Sequence, residues 1–211
     1  MNIIDITIPL SEKMPVWEGD KKVNIDLVEK IGDNGDFNVS RIELGVHSGT
    51  HIDSPYHVLK DGNTVDKIPL NVLIGKVQVV QVPYGNYEIN AKCLEKIGID
   101  FSIERILFRT SNSDYWKNDP YSFNKKYVAL NTEGAQFLAD RKVRLIGIDY
   151  FSISTFNDLV QPHVILLEKN IVLLENIDLG NVSPGIYQLV CLPIKLVGTE
   201  AAPVRAVLIS D

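Results

Sequence analysis

Four histidines occur in the 211 residues, and three of them fall in the eleven positions from His47 to His57. Placement by composition alone puts about 0.2 histidine in such a window. The segment runs Gly45-Val-His-Ser-Gly-Thr-His-Ile-Asp-Ser-Pro-Tyr-His57. On a helix, His47 and His51 would share one face, but Gly45, Gly49, the β-branched run before them and Pro55 argue against a helix. The alternation of Ile42, Leu44 and Val46 predicts a strand that delivers His47, with Ser48-Gly49-Thr50 as a turn or bulge. His51, Asp53 and His57 then follow at even intervals in an extended segment, and its period of two aims them to one side. Two imidazoles and a carboxylate converging from one ribbon are a ligand set for zinc or a similar divalent cation. The alternative is a group of solvated turn formers, and it has to account for three histidines and an aspartate together.

The fourth histidine adds to the set. His163 follows Pro162 at the start of an expected helix, and Glu175 follows the apolar strand Ile171 to Leu174. The start of a helix and the end of the next strand can lie side by side. Alone, such a histidine is an ordinary cap or core residue and such a glutamate a solvated strand end. Their weight comes from offering two more ligands to a site that already has three.

The elements that must position these residues are mostly strands. Ile4, Ile6 and Ile8 alternate before Pro9, Val77 to Val82 is rich in β-branched residues, and residues 103–109 and 143–148 read as buried strands. Tyr187 to Leu192 and Val204 to Ile209 read as a closing pair, and Gly32-Asp33-Asn34-Gly35 as a tight turn between two strands. Asn90 can cap a helix from Ala91 to Ile97 that Gly98 ends, and Asn131 or Thr132 one that runs to Arg141. Asp158 to Glu168 holds a third, with Pro162 in its first turn and Asn170 as a left-handed stop. The reading is a mixed α/β domain, mostly β, covering residues 1–211, with about three helices on one face. Ser111 to Lys126 is expected to be one long surface loop.

Composition excludes several classes. Apolar residues make up 45% and charged residues 23%, ordinary for a globular chain. The formal net charge is -6 and no Lys/Arg cluster offers a phosphate footprint, so nucleic acid is not an expected partner. No apolar run approaches the roughly 20 residues of a membrane span, so no membrane is expected either. The start, MNIIDITIPL, has Asp5 and no basic stretch, and does not read as a secretory signal. With Cys93 and Cys191 the only cysteines, no disulfide framework is expected, both thiols read as structural, and a cytoplasmic setting follows.

The run HSGTHIDSPYH resembles the pattern His-x-Gly-Thr-His-x-Asp-x-Pro-x-His of the metal-dependent cyclase family, which includes arylformamidase (kynurenine formamidase) and isatin hydrolase. LPIKLVGTEAAPVRAVLI near the C-terminus, MPVWEGD at Met14 to Asp20, Gly147-Ile-Asp149 and the spaced His163 and Glu175 are similar to the family as well. The resemblance implies an α/β fold with a central barrel-like sheet in a swivelling β/β/α arrangement. It implies two divalent metal ions, zinc first and manganese as the alternative. His47, His51 and Asp53 would hold one, and Asp53 would bridge to a second held by His163 and Glu175. His57 would be the general acid/base, Trp17 would line the substrate pocket, and the chain would form a homodimer or higher homo-oligomer. Glu18 departs from the arylformamidase pattern, which has Pro there, and Lys21-Lys22 follow Asp20, so the expected substrate is a small amide or formamide rather than one named compound.

The chemistry expected is hydrolysis: a metal lowers the pKa of its bound water from about 15.7 towards about 7, the hydroxide attacks the amide carbonyl, and His57 protonates the leaving amine. The competing expectations are a one-metal hydrolase of a cyclic amide or lactone, and a non-catalytic metal- or ligand-binding module. Ser48 and Thr50 are candidates to orient ligands, Gly49 to serve the turn alone, Asp149 to sit near the site, and Glu200 with Arg205 to form an ion pair at the pocket.

Overall fold

The computed structural model describes residues 1–33 and 35–210. In chain order the elements are β1 (Asn2–Asp5), β2 (Asn24–Glu29), β3 (Val39–Glu43), β4 (His51–Asp53), α1 (Leu70–Leu73), β5 (Ile74–Gln81), β6 (Glu88–Ile89), α2 (Ala91–Leu94), β7 (Arg105–Arg109), α3 (Ser113–Asn118), β8 (Ala129–Leu130), α4 (Thr132–Ala139), β9 (Leu145–Ile148), α5 (Val160–Glu168), β10 (Val172–Glu175), β11 (Gly185–Pro193) and β12 (Ala201–Ser210).

Seven strands close into a ring in the order β12-β11-β5-β7-β9-β10-β4, with β4 returning to β12. Strand β1 lies along the C-terminal part of β12, so that long strand serves three neighbours. From β5 to β10 the ring is parallel. Parallel neighbours need crossovers, and these carry α2, α4 and α5 onto the outer face. The barrel-like, mostly β architecture expected from the sequence is the one found.

Alternation along the strands decides which residues face inward. Val77 and Val79 of β5, Leu107 of β7, Leu174 of β10, Ile52 of β4 and Ala202 of β12 pack together inside the ring. Their neighbours Val80, Ile106, Phe108, Ile146 and Leu173 pack outward against Leu94, Leu138, Leu166 and Leu167 of the helices. Gly147 takes an inward position of β9 where a Cβ would stand 2.4 Å from Leu107 Cδ2 and 3.2 Å from the Leu174 carbonyl. The ring is already full there, and glycine is what lets β9 stay flat against its neighbours.

Several local expectations need correction. Strand β3 stops at Glu43 and pairs with β2 in a separate hairpin, because Gly45 opens a turn closed by the Ser48 N–H on the Gly45 carbonyl. His47 therefore comes off a turn, not off a strand end. The expected turn at Gly32 to Gly35 includes Asn34, which lies outside the described residues. Helix α2 ends at Leu94 rather than Ile97, and α4 at Ala139 rather than Arg141, although Asn90 and Asn131 cap them through the N–H groups of Cys93 and Gly134. Asn170 ends α5 in the left-handed conformation as expected, at φ 56°. The stretch expected to be one loop contains α3, and Trp116 and Tyr115 pack on Tyr150. The Trp116 indole donates to the Asp149 carbonyl at 2.9 Å, so these rings are tied to their own chain. No helix among the described residues is long and apolar enough to cross a membrane.

Gly147→Ala should lower stability by about 1–3 kcal/mol through overpacking. Gly185→Ala, whose Cβ would meet only the Tyr187 ring at 3.6 Å, should leave the urea midpoint almost unchanged. Equal midpoints for the two variants would show that the interior beside Leu107 has room.

Candidate metal centre

Strand β4 is three residues long and is paired on both sides, by β10 and by β12. The register sets Asp53 opposite Leu173 and His51 opposite Glu175. Partners across a ladder point to the same side, so once Ile52 and Leu174 face inward, His51, Asp53 and Glu175 must face outward together. They emerge where α5 crosses the ring, and His163 in the first half of that helix points down to meet them.

His57 arrives differently from the expectation. Ser54 leaves the strand and Pro55–His57 forms a 3-10 turn, with the His57 N–H on the Ser54 carbonyl. Pro55 sets the turn with its restricted φ, so His57 reaches the cluster by folding back rather than by strand parity. The six residues nonetheless meet. His47 Nδ1 lies 3.1 Å from Asp53 Oδ1, and His51 Nε2 lies 3.5 Å from the same oxygen. His51 Nε2 is also 3.4 Å from Glu175 Oε2, and His163 Nε2 is 3.3 Å from Glu175 Oε1 and 3.9 Å from Asp53 Oδ2. The His57 ring is centred 4.5 Å from that of His47 and 5.5 Å from that of His163. Ligand atoms of His47, Asp53 and His57, and of His51, Asp53 and Glu175, form two groups each tight enough for one ion.

Backbone carbonyls set the imidazole orientations. His51 Nδ1 stands 2.8 Å from the Gly49 carbonyl and His163 Nδ1 2.7 Å from the Leu159 carbonyl. A carbonyl only accepts, so each Nδ1 carries a proton and each Nε2 faces the carboxylates. Gly49 turns the chain and also fixes the direction of the His51 ring. Its φ of +66° is the left-handed region, and its carbonyl meets His51 Nδ1. Thr50 acts on the frame: its hydroxyl receives the Ile8 N–H at 2.8 Å and bonds the Asn176 carbonyl. Ser48 is buried beside the cluster, with no side-chain bond to an imidazole among the described hydrogen bonds.

Asp53 is fully buried, and neither of its oxygens has a hydrogen-bond partner; His51 Nε2 is likewise buried without one. Lone pairs facing carboxylate oxygens at 3.3–3.9 Å repel unless positive charge lies between them. In the metal-free chain protons supply it. Burial opposes the charge on His47, but Asp53 beside it, with Glu175 and Glu200, raises its pKa to about 9. Burial likewise opposes charge on His163, and Glu175 overrides it upward. Burial would raise the Asp53 carboxyl, yet His47, His51 and His57 hold it well below the usual carboxylate range. His57 goes the other way, its pKa lowered by burial and by the neighbouring imidazoles. Imidazole and carboxylate donors arranged around unpartnered oxygens suit a divalent cation.

A cavity of about 440 Å³ opens over the cluster. Its floor is His47, His51, His57, His163 and Glu175, and its walls include Trp17, Val58, Phe151, Leu159 and Val160. Trp17 is held edge-on by Phe123 at 5.0 Å and stacked on Phe156 at 5.8 Å. Glu18, where the sequence departs from the arylformamidase pattern, turns away to pair with Lys125. Two expectations fail. Asp149 lies away from the cluster, accepting from Thr110 N–H and hydroxyl and from Ser113. Arg205 pairs with Asp5, not Glu200, because β1 lies along β12 and brings Asp5 to it. Glu200 faces His47 instead, Oε1 to Nε2 at 3.4 Å.

Comparison with known proteins agrees with this picture. The sequence pattern of the family described as Putative cyclase matches residues 4–155. Cyclase-like protein 3 of Oryza sativa subsp. japonica is 40% identical, over 98% of this chain and 79% of its own. The kynurenine formamidase of Salinibacter ruber (strain DSM 13855 / M31) is 35% identical, over 99% of this chain and 97% of its own. A solved structure described as a potential metal-dependent hydrolase with cyclase activity is 31% identical and superposes with a TM-score of 0.84, covering 98% of this chain and 96% of that one.

The raised His47 pKa has a measurable consequence. In metal-free protein His47 stays protonated to about pH 9 when folded, but only to about 6.5 when unfolded. The stabilisation is complete below the unfolded value and is lost as the pH rises through the folded one. Chelator-treated protein should therefore lose thermal stability between about pH 6.5 and 9, and His47→Asn should flatten that fall. An unchanged slope in the variant would assign the effect to another group.

Proposed function

The chain belongs to the putative cyclase family, and on that premise we propose that it is a metal-dependent amidohydrolase, a single domain over residues 1–211 that cleaves a small amide such as an N-formyl arylamine. The observation that carries the reading is Asp53, buried with both oxygens unpartnered and ringed by imidazole nitrogens. Its Oδ1 faces His47 and His51 while its Oδ2 faces His163. Its two oxygens meet different imidazoles, so with two cations bound Asp53 would contribute to holding both, His47 and His51 would help hold one, and His163 and Glu175 would help hold the other. Zinc is the first choice and manganese the second. When bound, such cations supply Lewis acidity and lower the pKa of water to about 7.

The chain's own residues do the rest. Trp17, Phe151 and Leu159 exclude water from an apolar wall, and the Trp17 face can stack on an aryl ring, which sets the amide over the histidines. His57 lies at the edge of the cluster, half-buried, with its pKa lowered by burial, so it is neutral at pH 7. A neutral imidazole there can take the proton released as water adds to the carbonyl carbon. It then returns that proton to the nitrogen as the C–N bond breaks, so amine and carboxylic acid are formed, and the acid ionises on release into water. Formamidase relatives and hydrolase structures of the same fold support an amide over other substrates. A homodimer or higher homo-oligomer is part of the proposal.

Purified protein should contain two divalent ions per chain by elemental analysis and hydrolyse formanilides. Chelation should abolish the activity and added zinc or manganese restore it. One ion per chain with turnover of isatin alone would favour the cyclic-amide reading, and tight metal without turnover on any amide, ester or lactone a binding module. His57→Ala should keep its metal and lose about 100- to 10,000-fold in kcat. Loss of metal from that variant would make His57 a ligand, in keeping with its place beside His47 and Asp53.

A further inference from the structure

His47 differs from the other two imidazoles that meet the carboxylates. His51 and His163 spend Nδ1 on a backbone carbonyl and turn Nε2 to the carboxylates. His47 does the reverse: its Nδ1 faces Asp53 Oδ1 at 3.1 Å, and its Nε2 points outward to Glu200 Oε1 at 3.4 Å. Glu200 is held for this task. Its backbone carbonyl accepts both the Ser54 N–H at 2.9 Å and the Ser54 hydroxyl at 2.8 Å. Ser54 directly follows Asp53, and Ala201, directly after Glu200, is paired with Asp53 in the sheet. The glutamate is therefore clamped in register with the carboxylate at the centre of the site. Arg205, five residues on, is occupied by Asp5, and among the described ion pairs the Glu200 carboxylate has His47 alone.

We propose that Glu200 is a positioning residue that accepts the Nε2–H of His47 and thereby commits this histidine to bind its cation through Nδ1, while His51 and His163 bind through Nε2. This rests on the reading of the cluster as a metal centre. A carboxylate on the outer nitrogen fixes the tautomer, stops the ring from flipping and makes the inner nitrogen a stronger donor. It also explains why the most exposed of the three ligating histidines, with its side chain 28% accessible, needs a charged partner where the buried two manage with carbonyls.

The test uses the full chain, loaded with zinc alone. Long-range 15N–1H correlation spectra of the histidine side chains should show a metal-bound Nδ1 and a protonated Nε2 for His47, with the opposite pattern for His51 and His163. Competition with a chromophoric chelator should show zinc held about 10- to 100-fold more weakly by Glu200→Ala. Glu200→Gln, which keeps an acceptor oxygen, should lose much less. A metal-bound Nε2 on His47, or wild-type affinity in a Glu200→Ala chain with an unchanged urea midpoint, overturns the proposal while leaving the metal centre standing. A wild-type chain that takes up no divalent cation overturns the metal centre itself and this assignment with it.

Discussion

Two carboxylates, Asp53 and Glu175, lie side by side under α5, both essentially without contact with water. Taking one ionised carboxylate out of water costs several kcal/mol after relaxation, and two in contact repel each other as well. Glu175 recovers part of this through the Ile153 N–H, which donates to Oε1 at 2.6 Å. Asp53 recovers none of it from hydrogen bonds. The fold therefore tolerates a concentrated negative charge at its centre on condition that something positive is delivered there. The backbone carbonyls of Gly49 and Leu159 deny that role to fixed N–H donors, since they hold the protons of His51 and His163 on the outer nitrogens. A dissociable cation is what the arrangement leaves room for.

The barrel enforces the condition. Asp53 and His51 sit in a strand with neighbours on both sides, so their side chains cannot swing away without breaking two ladders. A slip of one residue in β4 would send Ile52 outward and put Asp53 among Leu174, Ala202 and Val79. The apolar interior thus guards the register that the charged exterior needs. His163 comes from α5 and Glu175 from β10, consecutive elements joined by a left-handed turn at Asn170. The same crossover that covers the parallel sheet also brings His163 and Glu175 to His47, His51 and Asp53.

Much of this was legible in the sequence because the residues concerned are rare and closely spaced. Three histidines in eleven positions carry a signal that no strand or helix propensity could imitate. Apolar and β-branched runs marked most strands of the ring, and Asn90, Asn131 and Asn170 marked helix ends through short-range chemistry that needs no tertiary context. What failed depended on partners far along the chain. Whether Arg205 meets Glu200 or Asp5 is decided by β1 lying along β12, with Asp5 200 residues from Arg205 in sequence. The approach of His57 was misread because Pro55 admits both an extended chain and a 3-10 turn, and only packing chooses. The stretch Ser111 to Lys126 was read as one surface loop because an anchor such as the Asp149 carbonyl, which holds Trp116, lies 33 residues on. Glu200 carried no signal pointing to His47, since a glutamate at the start of a strand is ordinarily solvated.

Asp149 shows what separates a structural buried acid from a functional one. It is as completely buried as Asp53. Around it, however, the chain places the Thr110 N–H at 2.7 Å, the Thr110 hydroxyl at 2.8 Å and the Ser113 hydroxyl at 2.6 Å. Burial still pushes its pKa up to about 6, against the pull of these donors, but every oxygen is met. Its role is to hold the start of α3 against the end of β9, and neutral donors suffice for that. Around Asp53 the same backbone offers imidazole nitrogens and no donor from the main chain. Burial alone does not mark a site; both acids have it. The difference lies in whether the protein completes the hydrogen bonding of the carboxylate or leaves it open, and at Asp53 both oxygens are left open, among imidazole nitrogens.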